Sequence, residues 1–514
     1  MMVRAGLARL ACAVAAIAPL ALAGCGGGKL HESMEGHLFG EVYRDVVSYH
    51  VEETGADRLS LAALATLGRI DPALSVERAG GIVVLRHGEQ AIRFPAPDAG
   101  DIAGWGDLTG EIVAAARAAS PEIAGLAPDI ADERMIGGAL VTLDRYSRYL
   151  RPDLASERRA KRDGFVGLGV ALDIAADEVR VASVLPDTPA ETAGLRVADR
   201  IVAVDGAMVA SLSADEVHDR LRGPKNSTVT LEIARDGTAG TLTLVMRRAV
   251  IVEENVTLER RDGVAWLKVR VFNHRTAKVA AELLHEAHQG KSGALHGIVL
   301  DLRDNPGGLL DQSIDLASLF LAGAPVSSTT GRVPDSEQSF SAPRDGMPET
   351  APMAVLINGG SASSAEIVAA ALQDARRAVV IGTSSYGKGT VQTVFRTGNG
   401  GELTVTWAYL VAPRGYRLDH HGVVPTVCTS GLADDPAAIA ERIAAAPGPL
   451  GAPREALDEA GWTQLRLSCP PRRRTREIDE AVAARLIDRP ALYRAALIGA
   501  PFEAQRPVEA HLSH

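Results

Sequence analysis

The sequence predicts a mixed α/β protein of several domains, and three observations support that prediction. The 514 residues are 46% apolar and 23% charged, which is typical of about two to four globular domains. Apolar runs separated by helical stretches fill residues 254–427, which indicates an α/β layered domain. Short β segments around one clear helix fill residues 162–248, which indicates a separate small module.

The start of the chain has the layout of an export signal. Two arginines accompany the apolar stretch LACAVAAIAPLALAGC, and a cationic start followed by an apolar run and small residues is typical of secreted proteins. Leu22–Cys25 is similar to a bacterial lipobox, so residues 1–24 are expected to be a signal peptide and Cys25 to carry a lipid. Cleavage after Ala23 without lipidation is the alternative. The lipid would be the only membrane anchor, since no later run of 18 uncharged apolar residues follows.

Charge and cysteine content narrow the setting further. The formal net charge of -10 argues against nucleic-acid binding, because phosphate recognition needs a basic surface. After export, Cys428 and Cys469 would be the remaining cysteine pair in an oxidising compartment. Whether they form a disulfide stays open at this point, because the sequence does not give their Cα separation.

Two regions flank the predicted domains. Residues 30–150 alternate helical stretches with a Pro/Gly-rich interruption, RFPAPDAGDIAGWG, and are predicted to be mostly helical. Residues 428–514 are rich in Ala and Arg and are predicted to form a helical extension. We find no chemical motif in that extension.

The small module at 162–248 carries a recognisable pattern. A capping box at Ser213–Glu216 opens its helix, and Asp236-Gly237 between β-branched runs indicates a hairpin. With GFVGLGV and DTPAETAGLRVADRIVAVDG, the module resembles a PDZ domain of the bacterial protease type. In such domains a peptide adds as a strand and a Gly-rich loop holds its C-terminal carboxylate. The resemblance assigns peptide binding to Gly167, Leu168, Gly169 and Val170.

The turn NGGSASSAE at 358–366 raises a choice between structure and chemistry. It follows an apolar strand and opens a helical stretch. Ser363–Glu366 fits a capping box, which is the purely structural interpretation. A serine at a helix N-terminus is also well placed to act as a nucleophile, because the unpaired N–H groups favour an oxyanion there.

A nucleophilic serine needs a base, and the sequence offers histidines and lysines. His420 and His421 lie downstream, but no G-x-S-x-G signature accompanies the turn. Lys388 in GTSSYGKGT sits between two glycines after an apolar strand, where partial burial would lower its pKa. The same stretch is not a phosphate loop, since Gly389 replaces the required Ser or Thr. The segment HEAH at 285–288 lacks the spacing of a zinc site.

Three segments, LDLRDNPGG, NGGSASSAEI and SSYGKGTVQ, together resemble the C-terminal processing peptidases, also called tail-specific proteases. They occur in the order that the family has them, and LDRYSRYLRP and GVVPT extend the likeness to about residues 135–427. The resemblance implies a crotonase-like protease core of the α/β (α+β) class with an inserted PDZ domain. It also implies that the protein uses no metal and no cofactor.

The resemblance places the catalytic roles residue by residue. The nucleophile falls on Ser363 and the general base on Lys388, with Gln392 orienting the amine. Backbone N–H groups of Gly307 or Gly308 and of Ser364 would form the oxyanion hole. The sequence departs from the family at residues 364 and 365, where Ser and Ala replace the usual Ala and Ser, and this leaves Ser363 in register.

The expected function is that of a serine endopeptidase of the cell envelope that grips C-terminal tails of polypeptides with its PDZ domain. As a lipoprotein it would face the periplasm, anchored in the outer membrane. Its partners would be protein substrates, with an adaptor or regulatory protein and a homo-oligomer left open. The alternative is a non-catalytic PDZ scaffold lipoprotein, which is disfavoured because the serine, lysine and glutamine are all retained.

Overall fold

The computed structural model describes most of the chain, and its description begins after the predicted signal and Cys25. The described residues are 26–163, 165–175, 178–251, 255–289, 295–344, 349–433, 435–444, 454–473 and 477–498. They form two compact units, one of residues up to 44 together with 56–138, the other of residues 45–55 together with 139 onward. No helix among the described residues is long and apolar enough to cross a membrane.

The helices of the described residues are distributed along the whole chain. In chain order they are α1 Gly26–Tyr49, α2 Ala56–Leu64, α3 Leu67–Ile70, α4 Ile102–Ala119, α5 Pro121–Ala124, α6 Pro128–Leu140, α7 Pro152–Asp163, α8 Pro189–Thr192, α9 Ala214–Leu221, α10 Thr276–Gln289, α11 Leu310–Ser318, α12 Ser364–Asp374, α13 Pro436–Ala444, α14 Glu459–Ser468, α15 Glu477–Ile487 and α16 Pro490–Ile498. Short 3-10 turns cover Val209–Ser211, Pro334–Ser336 and Arg454–Ala456.

The strands of the described residues concentrate between residues 148 and 428. In chain order they are β1 Leu74–Ala79, β2 Ile82–His87, β3 Gln90–Pro95, β4 Arg148–Leu150, β5 Phe165–Gly167, β6 Val170–Ala175, β7 Glu178–Val184, β8 Arg200–Val204, β9 Ala207–Met208, β10 Thr228–Ala234, β11 Thr241–Arg247, β12 Ala249–Ile251, β13 Val256–Arg261, β14 Val264–Val269, β15 Gly297–Asp301, β16 Pro325–Thr330, β17 Gln338–Ser341, β18 Met353–Ile357, β19 Val379–Gly382, β20 Thr390–Arg396, β21 Glu402–Val411 and β22 Val427–Cys428.

The first unit is built mainly of helices, as the sequence predicts, and also contains an antiparallel sheet that the pattern did not reveal. Strands β1, β2 and β3 pair in chain order. The turns between them contain Gly80 and Gly88, both with positive φ, a backbone conformation that glycine adopts without steric cost. The Gly-Gly pair between two apolar-rich runs was the available hairpin signal.

The second unit contains the module predicted at 162–248. Its main sheet has the order β11-β10-β8-β7-β6, with β9 on β8, while β5 pairs separately with β12. The predicted hairpin joins β10 to β11, and Ser213 and Glu216 form the predicted capping box at α9. Strand β6 lies at one edge of the sheet. This module has its own apolar core, which includes Leu168 and Val217.

The remaining sheets of the second unit form the α/β core. One has the order β13-β14-β15-β18-β19-β22, in which neighbours from β14 to β22 run parallel. The other has the order β17-β16-β21-β20 and also takes β4 onto β21. Because β4 precedes the small module and belongs to this core, the module is an insertion in the core domain.

Both faces of the parallel sheet are buried, and each face is covered by a different part of the chain. Val355 and Ile357 of β18 face one apolar cluster that includes residues of α10, α11 and α12. Ala354 and Leu356 face a second cluster, which includes residues of α13, α15 and α16. The described residues after 428 form helices α13 to α16, and α13, α15 and α16 supply the second covering layer that a parallel sheet requires.

A disulfide fastens part of this extension to the core. Cys428 at the end of β22 is bonded to Cys469, which follows α14, with a Cα separation of 5.9 Å. This settles the pairing that the sequence left open.

Candidate active site

The three segments that carry the predicted chemistry follow three neighbouring parallel strands. Residues 302–308 follow β15, residues 358–363 follow β18, and residues 383–389 follow β19. The carboxyl ends of parallel strands meet at one edge of a sheet, which is where α/β proteins commonly place ligands. The topology therefore brings the segments together although they are far apart in the sequence.

The serine turn after β18 is locked by its first serine. Ser361 is fully buried, accepts a hydrogen bond from the Asn358 N–H at 2.9 Å and donates to the Leu302 carbonyl at 2.8 Å. Asn358 Nδ2 donates to Asp304 Oδ1, and the Asp304 N–H donates back to Asn358 Oδ1. Ser361 and Asn358 thus hold the turn against the loop after β15.

The next two serines differ: Ser364 makes a side-chain hydrogen bond, whereas Ser363 has an unusual backbone conformation. Ser364 Oγ donates to the Gly308 carbonyl at 3.0 Å, which makes it a link between the two loops. Ser363 lies immediately before α12 with φ 54° and ψ -116°, a backbone conformation that non-glycine residues rarely adopt and that costs roughly 1–3 kcal/mol. Strain of this kind is concentrated at functional sites because the surrounding structure must enforce it.

Gly307 lies against Ser363 so closely that no larger residue fits. A Cβ at Gly307 would lie 2.8 Å from Ser363 Cβ and 3.0 Å from the Ser364 backbone nitrogen. Gly307 has φ 97° and Gly308 has φ 148°, values that favour glycine. The glycines of NPGG are therefore needed both for their conformation and for this approach.

The predicted oxyanion donors are not equivalent. The Gly307 N–H donates to Asn305 Oδ1 at 2.8 Å, so it is already used. Among the described residues, the N–H groups of Gly308 and Ser364 have no such partner. Of the residues that the sequence nominates, Gly308 and Ser364 are thus the pair whose N–H groups are available for a developing negative charge.

A buried carboxylate joins the serine turn to the lysine turn. Glu366 is fully buried, and its Oε2 accepts the N–H of Ser363 at 2.8 Å and the N–H of Lys388 at 2.9 Å. Its Oε1 accepts the Gly387 N–H at 2.7 Å and the Ser385 hydroxyl at 2.5 Å. Burial raises the pKa of Glu366, and the four hydrogen bonds oppose that rise.

Lys388 is partly buried. Burial lowers the pKa of its amine, the Arg158 guanidinium lowers it further, and Glu366 acts in the opposite direction. Its Nζ lies 5.2 Å from the centroid of the Tyr146 ring. Among the described residues there is no hydrogen bond between Lys388 Nζ and Ser363 Oγ, so the backbones of the two residues are joined through Glu366 while their reactive atoms are not.

Gln392 forms its side-chain hydrogen bonds with threonines and none with Lys388 among the described residues. Its amide donates to the hydroxyl of Thr390 at 2.8 Å and to that of Thr406 at 3.4 Å. Both threonines lie on the antiparallel strands β20 and β21, where a register shift follows Val391. The role that the family resemblance implies for Gln392, orienting the lysine amine, remains a prediction.

The side chains of His420 and His421 form no hydrogen bond to Ser363 among the described residues, although the His420 N–H donates to the Gly387 carbonyl at 3.0 Å, beside Lys388. The side chain of His420 is 73% exposed and pairs with Asp419. His421 bonds to Glu459 through Nε2 and stacks on the Trp462 ring. The segment at 285–288 places both of its histidines on the exposed side of α10.

The predicted peptide-binding loop joins β5 to the edge strand β6. Gly167 and Val170 lie on those strands, while Leu168 is 2% exposed within the module's core. Gly169 has φ 80°, and a Cβ there would lie 2.4 Å from the side chain of Thr188. Only glycine fits at this position of the loop.

Two features of the site were missed from the sequence. Glu366 was visible only as the acidic end of a capping box, and the pattern did not reveal that the same carboxylate also holds Gly387 and Lys388. Arg466 of α14 donates to the carbonyl of Ser385 at 3.1 Å and to that of His421. The only nearby signal for Arg466 was Cys469, three residues further along.

Known proteins are similar to this chain over the same regions. Residues 263–429 match peptidase family S41, and residues 180–235 match a PDZ domain. A carboxy-terminal-processing protease of Bartonella bacilliformis is 37% identical over 297 residues, which cover 57% of this chain and 68% of that protein. The chain belongs to the carboxy-terminal-processing proteases of peptidase family S41.

Other similar proteins carry related names. A carboxyl-terminal-processing protease of Synechocystis sp. is 34% identical over 295 residues, covering 56% of this chain and 68% of that protein. Among solved structures, the photosystem II D1 C-terminal processing protease has a TM-score of 0.40 at 24% identity and covers 76% of this chain and 92% of its own. Membership of this family confirms that the chain is a serine-type peptidase with a PDZ domain.

The lowered pKa of Lys388 predicts a measurable effect on stability. Between the folded and the unfolded pKa of this lysine the unfolded chain binds more protons, so this group makes stability rise with pH in that window. We expect Lys388→Met to increase the free energy of unfolding at pH 7 and to flatten this rise, measured by urea unfolding between pH 7 and pH 10. Lys278→Met, whose side chain is 72% exposed, is the control and should leave the pH dependence as in the wild type. An equal slope in the Lys388→Met variant and the wild type would contradict the burial of this amine.

Proposed function

We propose that this chain is a cell-envelope serine endopeptidase that recognises the C-terminal tails of polypeptides with its PDZ domain and cleaves with a Ser363–Lys388 dyad. The observation that carries the proposal is the shared carboxylate. Glu366 Oε2 accepts the backbone N–H groups of both Ser363 and Lys388, which fixes the nucleophile turn and the base turn to one atom.

The proposed reaction begins with attack of Ser363 Oγ on the scissile carbonyl, while the neutral amine of Lys388 takes the hydroxyl proton. Negative charge develops on the carbonyl oxygen, and the N–H groups of Gly308 and Ser364 are the donors proposed to stabilise it. Collapse of the tetrahedral intermediate releases the amine product, which takes the proton from Lys388. Water then hydrolyses the acyl-enzyme with the lysine again acting as the base.

The side chain of Lys388 must change position for this scheme. In the structure its Nζ lies over the Tyr146 ring, whereas proton transfer requires about 2.6–3.2 Å between donor and acceptor. Hydrogen bonds of this kind often tighten only when substrate is bound. We propose that substrate binding brings the amine to Ser363 and allows Gln392 to hold it, as the family resemblance implies.

Tail recognition is supported by the exposed edge of the PDZ sheet. Among the described strands, β6 pairs with β7 alone, so its other edge is open to an added peptide strand. The adjoining loop has its backbone fixed, because the carbonyls of Leu168 and Gly169 accept the N–H groups of Ala190 and Leu185. A bound tail would place its terminal carboxylate at this loop.

The proposed location rests on the sequence of the first 26 residues. The signal and the lipobox-like Cys25 favour a lipoprotein, and Gly26 rather than Asp after the cysteine favours the outer membrane in a Gram-negative cell. Protein substrates are the proposed partners. An adaptor protein, or a second copy of this chain, would be a further partner within the cell envelope.

The serine assignment predicts a sharp difference between neighbours. Ser363→Ala should lower the rate of cleavage of an unfolded reporter protein by several orders of magnitude, because no other group replaces the nucleophile. Ser364→Ala, which removes the hydroxyl but keeps the backbone N–H, is the matched control and should retain most of the activity.

The wild-type rate should rise with pH as Lys388 loses its proton, and EDTA should not change the rate. Full activity of the Ser363→Ala variant would overturn the proposal, and the scaffold alternative would be favoured if the wild type cleaved nothing.

The PDZ assignment predicts dependence on a free tail. Amidation of an apolar C-terminus should raise KM, because it removes the charge that the loop N–H groups recognise. Gly169→Ala should raise KM for free tails and have little effect on amidated ones. Gly237→Ala is the control, since Gly237 has the same φ of 80° but nothing lies within 4 Å of an added Cβ. Equal cleavage of free and amidated tails by the wild type would contradict tail reading.

The lipid anchor is tested by fractionation. Cys25→Ser should move the protein from the membrane fraction to the soluble periplasm or stall its maturation, because a lipoprotein anchor needs the cysteine thiol. The distribution of the protein would be measured by immunoblotting of cell fractions. A wild-type protein found in the soluble fraction would instead favour cleavage after Ala23.

A further inference from the structure

Helix α14 lies beyond the part of the chain that matches the protease family, yet it is built into the protease core. Trp462 is 2% exposed and stacks on the His421 ring, with 4.5 Å between the centroids and 8° between the planes. It also packs against the Tyr416 ring at 5.1 Å. The Cys428–Cys469 disulfide fastens the end of the helix. The position of α14 is therefore fixed from both ends.

This fixed helix directs Arg466 to the lysine turn. The guanidinium donates through Nη2 to the Ser385 carbonyl at 3.1 Å and through Nη1 to the His421 carbonyl. Ser385 Oγ in turn donates to Glu366 Oε1 and accepts the N–H of Val423. Arg466 thus joins two loops that surround the shared carboxylate.

Three groups converge at Gly422 and show how near Arg466 is to that carboxylate. A Cβ at Gly422 would lie 2.9 Å from Arg466 Nη1, 2.9 Å from Glu366 Oε1 and 2.6 Å from Ser385 Oγ. Burial lowers the pKa of the Arg466 guanidinium, and the charge of Glu366 counteracts this. Lys388 is a second cation whose charge interacts with that of Glu366. The buried carboxylate therefore interacts electrostatically with both Arg466 and Lys388.

The chain after α14 makes a second connection to the same site. The Arg472 carbonyl accepts the N–H of Gly359 in the serine turn at 2.7 Å, and its N–H donates to Thr383 Oγ1 at 3.2 Å. Asn358 Nδ2 donates to the Arg473 carbonyl at 3.2 Å. One short segment of the extension therefore touches both the serine turn and the strand end that leads to Lys388.

We propose that Arg466 is a positioning residue of the catalytic site. It holds the lysine turn and balances the buried charge of Glu366. The backbone N–H groups of Ser363 and Lys388 thereby keep their hydrogen bonds to this carboxylate. The inference rests on the proposed function. It extends the catalytic unit of this chain into its C-terminal extension. A merely structural role would stabilise the fold without changing how the reaction responds to pH.

The test compares Arg466→Gln with Arg454→Gln. Arg454 belongs to the same extension and donates to Gln373 and to the Val424 carbonyl, away from Glu366, so it is the matched control. We expect Arg466→Gln to lower kcat about tenfold or more and to leave KM for a free-tailed substrate within about twofold, because the PDZ domain sets tail binding. Loss of the positive charge should raise the pKa of Glu366. With one cation fewer nearby, the pKa of the Lys388 amine should rise as well, so the rise of kcat should move to higher pH. Arg454→Gln should keep the wild-type kcat and pH profile even if its Tm falls.

Arg466→Lys separates charge from geometry. It keeps the positive charge but lacks the fork that reaches two carbonyls, so the pH profile should return to that of the wild type while kcat recovers only in part. A wild-type kcat in Arg466→Gln, or in Arg466→Lys if the Gln variant does not fold, would overturn the inference. The proposed function fails separately, if the wild type and Ser363→Ala are equally inactive.

Discussion

The arrangement of this site depends on one buried negative charge. A carboxylate without water is costly unless donors surround it, and Glu366 obtains its donors from two turns that follow different strands. The N–H groups of Ser363 and Lys388 bind one oxygen, and the Gly387 N–H and the Ser385 hydroxyl bind the other. Displacing either turn would leave the carboxylate short of partners. The burial of Glu366 thus couples the geometry of the nucleophile to that of the base.

Close packing of backbone provides the other half of the site. The loop after β15 reaches the serine turn because Gly307 has no side chain, and the Asn305 carbonyl accepts the N–H of Ala362 at 2.9 Å. The side chain of Asn305 occupies the Gly307 N–H, which leaves Gly308 and Ser364 as donors. These contacts hold Ser363 at its positive φ, and their favourable energy offsets the strain of that backbone conformation.

The C-terminal extension is part of the same framework. Arg303, which follows β15, is 3% exposed and pairs with Asp301 and, on α15, with Asp479 and Glu480. The loop that supplies the oxyanion donors is therefore held partly by the extension. Helix α15 therefore has two roles. It covers the second face of the parallel sheet, and its Asp479 and Glu480 hold Arg303 in the loop after β15.

Some features of the fold and site followed from local pattern. Apolar runs bounded by turns and separated by helical stretches predicted the α/β core, and the capping box and Asp-Gly turn predicted elements of the PDZ module correctly. The strands MAVLI and GIVLD are almost entirely apolar, a pattern typical of strands covered on both faces. The pattern alone could not say that residues after 428 cover the second face. The three-stranded sheet at 74–95 was not predicted, because its strands are short and lie within a region whose pattern is mainly helical.

The sequence by itself determined which residue types stand at the ends of the core strands, because turn glycines, helix starts and apolar periodicity act between residues close in the chain. Together with the resemblance to the C-terminal processing peptidases, these residues nominated Ser363, Lys388 and the glycines at 307 and 308. Only the tertiary structure decided that one carboxylate binds both turns and that the Gly307 N–H already has a hydrogen-bond partner. It also decided that Lys388 lies over the Tyr146 ring and that Gln392 donates to threonine hydroxyls. The hydrogen bond from Arg466 to the Ser385 carbonyl was likewise visible only there. Each of these contacts joins segments brought together by the order of strands in the sheet, and strand order is a long-range property that no local pattern encodes.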